Sequence, residues 1–104
     1  MDINILICSE KEECKSIQEY ENIIKILSNK NCNKKSLIIG LGGGTITDLS
    51  GFIASSYMRG IHHVLLPTTL LGMVDASIGG KTALNVNHIR NLIGSFQTPR
   101  EVVL

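Results

Sequence analysis

This sequence of 104 residues lacks a strong excess of charge of either sign, because ten basic side chains are balanced by nine acidic ones. A net charge of +1 gives no electrostatic reason to expect nucleic acid or an anionic membrane as a partner. No apolar run approaches the ~20 residues of a membrane-spanning helix, and the first residues lack the basic region and cleavage site of a signal peptide. We therefore expect one small domain over residues 1–104, in a cytoplasmic compartment.

Patterns that bind metal ions are also lacking. The three cysteines include no Cys-x-x-Cys pair, and their odd number argues against a disulfide framework, so we expect free thiols. The three histidines form no His-Glu-x-x-His motif. His62 and His63 are adjacent in a predicted strand and should point to opposite faces, so they cannot easily share a metal ion. These residues alone predict no metal site.

Glycine is absent from residues 1–39 and then recurs ten times between Gly40 and Gly94. Short apolar runs alternate with stretches of helical spacing, and a capping box at 16–19 begins the first helix. The resulting β-α-β-α-β order predicts an α/β fold, a Rossmann-like parallel sheet with flanking helices. The uncharged run at 36–41 predicts a strand covered on both faces. Strands are predicted at 3–8, 36–41 and 61–66, with another beginning at 101–104; helices are predicted at 16–28 and 46–57, with a short helical turn at 70–74.

A glycine cluster joins the predicted strand at 36–41 to the helix that follows it. Gly42, Gly43 and Gly44 allow a sharp turn and a close approach of a ligand to the backbone, and the helix N-terminus beyond them favours an anion. The usual dinucleotide fingerprint is incomplete because its third glycine would fall on Thr45. The next strand ends at Pro67 rather than at an acidic ribose clamp. The cluster favours a phosphate-bearing ligand over a purely structural turn.

A second glycine-rich segment, Gly79-Gly80-Lys81-Thr82, superficially suggests a P-loop. A P-loop would need glycine at position 75, which is Asp75, so an ATPase is excluded. Lys81 still suits a phosphate or carboxylate ligand as a point charge. The alternative is a solvated surface lysine, although few other charges surround it.

Three longer blocks resemble the 3-dehydroquinate synthase family. They are GGGTITDLSGFIASSYMRG at 42–60, PTTLLGMVDASIGGKT at 67–82 and NLIGSF at 91–96. Iron-dependent alcohol and glycerol dehydrogenases share the glycine turn and the Pro-Thr-Thr but lack the Val-Asp-x-Ser-x-Gly-Gly-Lys-Thr continuation. The resemblance covers about residues 8–104 and implies the NAD-binding portion of a longer enzyme, without its C-terminal helical domain.

The resemblance implies roles for individual residues. Those implied to bind NAD are Glu12, Lys15, Gly43, Gly44, Thr45, Asp48, Thr68, Thr69 and Arg90. Those implied to bind the substrate are Arg59, Asp75, Lys81 and Asn91, whose charges and amide suit a phosphate, a carboxylate and hydroxyls.

The family reaction converts 3-deoxy-D-arabino-heptulosonate 7-phosphate to 3-dehydroquinate and phosphate in the shikimate pathway. NAD is used and regenerated, and zinc or another divalent metal acts as a Lewis acid. The resemblance assigns the metal ligands, one Glu and two His, to the helical domain. It also implies a homodimer for the complete enzyme and no synthase activity for the 104-residue chain alone. The alternatives are a non-catalytic remnant or partner-dependent module, and a sibling sugar-phosphate cyclase.

Overall fold

A computed structural model describes residues 3–8 and 12–104. Two short 3-10 turns, at Glu12–Cys14 and Tyr57–Arg59, accompany the regular elements. The helices are α1 (Ile17–Asn29), α2 (Gly44–Ser56) and α3 (Leu70–Ile78); the strands are β1 (Leu37–Gly42), β2 (His62–Pro67), β3 (Lys81–Val86), β4 (Ile89–Phe96) and β5 (Glu101–Val102).

Two sheets organise these elements. The strands β1, β2 and β5 form a parallel sheet with β2 in the centre, and β3 and β4 form a separate antiparallel hairpin. The helix α2 connects β1 to β2, and α3 with the hairpin connects β2 to β5. The predicted Rossmann-like parallel sheet with flanking helices is confirmed.

The first helix begins where the capping box predicts. Ser16 has an extended backbone, and its side-chain oxygen accepts a hydrogen bond from the Glu19 backbone N–H at 3.1 Å. This bond satisfies one of the N–H groups that have no partner within the helix. Ile23 of α1 then packs with Leu49, Ile53 and Leu84 in the core between α1, α2 and the hairpin.

Two strand predictions are wrong. Residues 3–8 are not in a strand, and Ile3, Ile5 and Ile7 are 79%, 82% and 93% exposed. A β-branched run becomes a strand only when a neighbouring strand supplies its hydrogen bonds, and no described strand pairs with this segment. The β1 strand is also not covered on both faces.

One face of β1 is open to solvent. Leu37, Ile39 and Leu41 alternate along the strand and are 48%, 60% and 64% exposed. The chain crosses the sheet in one direction, from β1 through β2 to β5. Right-handed crossovers in one direction put their connecting elements on the same face, so the other face receives no cover from them.

The spacing of apolar residues in the sequence does not predict the β3–β4 hairpin. Its two turn residues, Asn87 and His88, have φ of 53° and 60°, the left-handed conformation that two-residue hairpin turns require. The sequence offers Asn-His at this turn rather than the usual Asn-Gly. The pattern from Gly79 onwards therefore predicts only a glycine-rich loop.

The two adjacent histidines point to opposite faces of β2, as predicted: His62 is exposed and His63 is 1% exposed. Among residues 3–8 and 12–104, no group forms a hydrogen bond with the Nδ1 atom of His63. Burial, with a smaller contribution from His62, lowers the pKa of His63 below its ordinary value of 6.5.

This burial predicts a loss of stability in mild acid. The unfolded chain binds a proton at His63 near pH 6.5 and the native chain resists it, so the free energy of unfolding should fall as the pH drops below 6.5. His63→Leu should reduce the decrease in melting temperature between pH 8 and pH 5.5. The exposed control, His62→Leu, removes only the smaller contribution to the pKa of His63 and should reduce that decrease much less. Equal slopes for both variants would contradict the prediction.

Candidate NAD and substrate site

A glycine turn opens the site at the carboxyl end of β1. Gly43 is the N-cap of α2 and Gly44 is its first residue. A Cβ at Gly42, where φ is +156°, would lie 2.7 Å from Cγ1 of Ile46, so this tight turn requires glycine. A Cβ at Gly44 would meet no atom of the described residues within 4 Å. Space is therefore open beside the Cα of Gly44, in the first turn of α2.

Thr68 and Thr69 lie next to this turn at the carboxyl end of β2. The Thr68 backbone N–H donates to the Gly42 carbonyl at 2.9 Å and so ties the two strand ends together. Thr69 caps α3, because its hydroxyl oxygen accepts from the Gly72 N–H at 3.0 Å. The carboxyl edge of a parallel sheet is where open α/β folds bind ligands. Both threonines thus lie beside the predicted cofactor turn.

A buried lysine connects the turn to the hairpin. Lys15 is 3% exposed, and its ammonium donates to Oδ2 of Asp48 at 2.8 Å and to Oδ1 of Asn91 at 2.6 Å. Glu12 lies further away, with its Oε2 at 3.8 Å from the same nitrogen. One cation thereby joins α2, the 3-10 turn and β4. A hydrophilic lysine so deeply buried is stable only because it is paired and hydrogen-bonded.

Glu12 occupies the exposed side of the same cluster. Its carboxylate accepts from Nδ2 of Asn85 at 2.8 Å and from the Thr45 hydroxyl at 3.3 Å, and Arg90 lies 3.4 Å away. The bond from Asn85, followed by the nearby charges of Lys15 and Arg90, holds the pKa of Glu12 below its ordinary value. Glu12 is therefore a charged acceptor at neutral pH.

The pKa of Asp48 is shifted in the opposite direction to that of Glu12. Burial raises the pKa of Asp48 above its ordinary value, although the hydrogen bond and charge of Lys15 act to lower it. Lys15 thus offsets a desolvation cost that Asp48 would otherwise bear in full.

A cleft of about 520 Å³ opens between α2, α3 and the hairpin. Asp75 in the second half of α3, Lys81 at the start of β3 and Asn91 on β4 line it, together with Asp48. The predicted substrate residues from these three elements thus share one cavity. Asp48 and Asn91 belong both to the cleft and to the Lys15 cluster, so the predicted cofactor and substrate regions are contiguous.

Arg59 is not part of this cleft. It lies in the 3-10 turn at the opposite end of α2, has φ of 66° and is exposed. Its predicted substrate role stays a prediction. Asn85, by contrast, is a member of the cluster that the sequence analysis missed. Its position three residues after the Gly-Gly-Lys-Thr block is the signal that could have drawn attention to it.

Neither a metal cluster nor a membrane helix occurs in the described part of the chain. No group of three or more His, Cys, Asp or Glu side chains there could hold a metal ion. No described helix is both long and apolar enough to cross a bilayer. Cys8, Cys14 and Cys32 are free thiols, and burial raises the pKa of Cys14 to about 12.

The glycine turn, the parallel sheet and the charged cleft at its carboxyl edge define a Rossmann-like α/β domain. The chain belongs to the 3-dehydroquinate synthase N-terminal family, whose sequence model matches residues 5–104. The resemblance inferred from the three sequence blocks is thereby confirmed.

Individual relatives agree with the family assignment. The 3-dehydroquinate synthase of Thermoplasma volcanium is 43% identical over 95 residues, which are 91% of this chain and 26% of the relative. That of Dictyoglomus turgidum is 46% identical over 101 residues, or 97% of this chain and 28% of the relative. The chain therefore spans about a quarter of the length of these enzymes.

A solved structure supports the fold. A crystal structure of 2-deoxy-scyllo-inosose synthase, complexed with carbaglucose-6-phosphate, NAD+ and Co2+, superposes with a TM-score of 0.83 at 30% identity. The match covers 88% of this chain and 25% of that one. This chain thus has the fold of a segment of a sugar-phosphate cyclase.

Proposed function

We propose that this chain is the NAD-binding part of a 3-dehydroquinate synthase, which converts 3-deoxy-D-arabino-heptulosonate 7-phosphate into 3-dehydroquinate and phosphate. One observation carries the proposal: side chains assigned to NAD and to substrate form one hydrogen-bonded cluster beside the glycine turn. Its members from the predicted set are Glu12, Lys15, Thr45, Asp48, Arg90 and Asn91.

The residues present fit NAD. The open space at Gly44 lets a pyrophosphate approach the first N–H groups of α2, where the helix dipole favours negative charge. Glu12 is charged and accessible and can accept hydrogen bonds from ribose hydroxyls, while Thr45 and Arg90 fix its orientation. When bound, NAD would supply the reversible oxidation of a substrate hydroxyl.

The cleft residues provide different chemical groups for binding the substrate. Lys81 offers an exposed cation for the phosphate or carboxylate, and Asn91 offers an amide whose oxygen Lys15 already holds. Asp75 can accept hydrogen bonds from hydroxyls. These groups bind and orient the sugar acid against the cofactor, which is the protein's main contribution to such chemistry.

The divalent metal of the family reaction does not fit the described residues, which contain no cluster able to ligate it. The resemblance assigns its ligands to the helical domain, so we expect this chain to give no synthase turnover alone. Mixing the chain with NAD, a divalent metal and the heptulosonate phosphate, and assaying released phosphate, checks this expectation. The homodimer and the cytoplasmic location of the complete enzyme stay predictions.

A sibling sugar-phosphate cyclase is the second candidate, because the 2-deoxy-scyllo-inosose synthase fold matches well. The first candidate is favoured by sequence: relatives named 3-dehydroquinate synthase are 43% and 46% identical, against 30% for that cyclase. Testing heptulosonate phosphate against a hexose phosphate with the full-length enzyme separates the two.

Gly44→Ala should weaken NAD binding while keeping the fold. The added methyl has free space in the chain, and alanine favours the helix by up to ~1 kcal/mol, so the melting temperature should stay equal or rise. The same methyl occupies the space beside the first N–H groups of α2. We expect NAD affinity to fall by about tenfold, roughly the effect of losing one charge-assisted hydrogen bond.

Calorimetric titration with NAD gives the affinity, and a thermal melt gives the stability. Parent and variant binding NAD equally would contradict the role of the turn. A parent chain that binds no NAD at millimolar concentration would overturn the proposed function.

A further inference from the structure

Asn85 occupies an unusual place in the hairpin. The register pairs Leu84 with Ile93 and Val86 with Ile89, so β4 carries extra residues opposite Asn85. Asn91 lies within this bulge and has φ of 56°, a conformation that few residues other than glycine adopt. The bulge directs Arg90 and Asn91 towards the Glu12 and Lys15 cluster.

The Asn85 side chain fills the gap that the bulge creates. Its Oδ1 accepts a hydrogen bond from the Asn91 backbone N–H at 2.9 Å, which satisfies a donor that the disrupted ladder leaves unpaired. Its Nδ2 donates to Oε2 of Glu12 at 2.8 Å. A single planar amide therefore touches the Glu12 carboxylate on one side and the Asn91 backbone on the other.

The backbone of Asn85 reinforces the connection. Its N–H donates to the Lys15 carbonyl at 2.7 Å, and Asn85 forms an isolated parallel bridge with Ser16. The 12–16 segment is therefore held to β3 at the same residue whose side chain orients Glu12.

We propose that Asn85 is a positioning residue that fixes the Glu12 carboxylate relative to Asn91, and thereby aligns the cofactor with the substrate. The inference rests on the proposed function for the identity of the two ligands. Asn85 itself need touch neither of them.

Asn85→Asp keeps one of the two side-chain hydrogen bonds of Asn85 and removes the other. The aspartate keeps an acceptor for the Asn91 N–H but replaces the donor to Glu12 with a second carboxylate. Among the residues that the structure describes, the other charged groups that interact with Glu12 are Lys15, Arg90 and Asp48, and these are unchanged. Two facing carboxylates repel when both are ionised, so one of them should take up a proton at a raised pKa.

The expected result is that lowering the pH strengthens NAD binding by Asn85→Asp. At pH 8, Asn85→Asp should bind NAD about tenfold more weakly than the parent, and its affinity should recover as the pH falls and the two carboxyls share a proton. The parent should show no such recovery. Asn87→Asp adds the same charge at an exposed turn residue that tolerates positive φ, and should leave NAD affinity and its pH profile unchanged.

A second measurement needs no cofactor. The pKa of Glu12, read by carbon NMR of its carboxyl group, should be higher in Asn85→Ala than in the parent and unchanged in Asn87→Asp. An unshifted Glu12 pKa in Asn85→Ala would overturn the positioning role, as would identical pH profiles for Asn85→Asp and Asn87→Asp. If the parent fails to bind NAD while the Glu12 pKa still shifts, the proposed function fails and the Asn85 contact to Glu12 stands.

Discussion

Gly94→Ala is expected to lower the free energy of unfolding by about 3 kcal/mol, at the upper end of the usual cost of overpacking. Gly94 lies directly opposite Ala83 in the hairpin. An added Cβ would collide with the Thr82 carbonyl oxygen and lie 3.2 Å from the Thr82 carbonyl carbon. These are backbone atoms, so no change of rotamer relieves the clash and the two strands must separate.

Urea denaturation of parent and variant measures this effect, with Gly44→Ala as the matched control. Both variants add one methyl group to a glycine, but in the part of the chain that the structure describes the methyl at Gly44 has no neighbour within 4 Å. The control should therefore unfold at the parent's urea concentration or above it. The prediction is wrong if Gly94→Ala unfolds at the same midpoint as the control.

The same change should also damage the cleft. Lys81 and Asn91 both lie on the hairpin whose strands Gly94 keeps in contact. Separation of the strands displaces both side chains relative to Asp48 on α2. Arg90, which is assigned to NAD and pairs with Glu12, lies on the same strand as Asn91, so the NAD affinity of Gly94→Ala should fall even under conditions where the variant is still fully folded.

Lys15→Met is expected to cost about 2 kcal/mol of stability. Breaking a fully buried ion pair by removing one partner costs roughly 3–5 kcal/mol, and partial solvation of the remaining partner reduces this. Methionine fills the space of the lysine stem but leaves Oδ2 of Asp48 and Oδ1 of Asn91 without their donor. Asp48 is 34% exposed, so water recovers part of the loss.

Lys25→Met is the control for Lys15→Met. Lys25 pairs with Glu21 at 3.1 Å, but its side chain is 66% exposed, and such surface pairs contribute little. Urea denaturation should find the control within about 0.5 kcal/mol of the parent. Equal losses in the two variants would contradict the importance of the buried pair.

The pH dependence of Lys15→Met has a definite sign. Burial already raises the pKa of Asp48, and removing Lys15 takes away the interactions that lower it. A group whose native pKa lies above its unfolded pKa stabilises the native state at low pH, and this contribution is lost as the pH rises through the native pKa. The destabilisation should therefore be largest at pH 7 and shrink towards pH 4.

Local signals predicted the parts of the fold that local interactions determine. Ser16 and Glu19 specify the start of α1, and the glycine turn specifies the junction of β1 with α2. The family resemblance identified every residue of the cluster except Asn85 without any geometry. Such features are readable because each depends on residues only a few positions apart.

The errors share a different physical cause. The segment 3–8 has the composition of a strand but finds no partner in the described chain, and β1 exposes a face that its uncharged sequence did not predict. The β4 bulge and the role of Asn85 depend on contacts between distant segments. Whether a strand finds a partner, and whether its faces are buried, depends on the packing of the whole fold. A short window of sequence therefore cannot predict either property.

The contact between Lys15 and Asn91 joins residues that are 76 positions apart in the chain. Closing so long a loop costs entropy before any contact compensates for it. Neither the segment that carries Lys15 nor the hairpin, formed alone, can supply this contact, so the cleft exists only in molecules in which both ends of the chain between Lys15 and Asn91 have already come together. A ligand that requires Glu12 and Asn91 at once therefore selects completely folded chains and adds its binding energy to them alone.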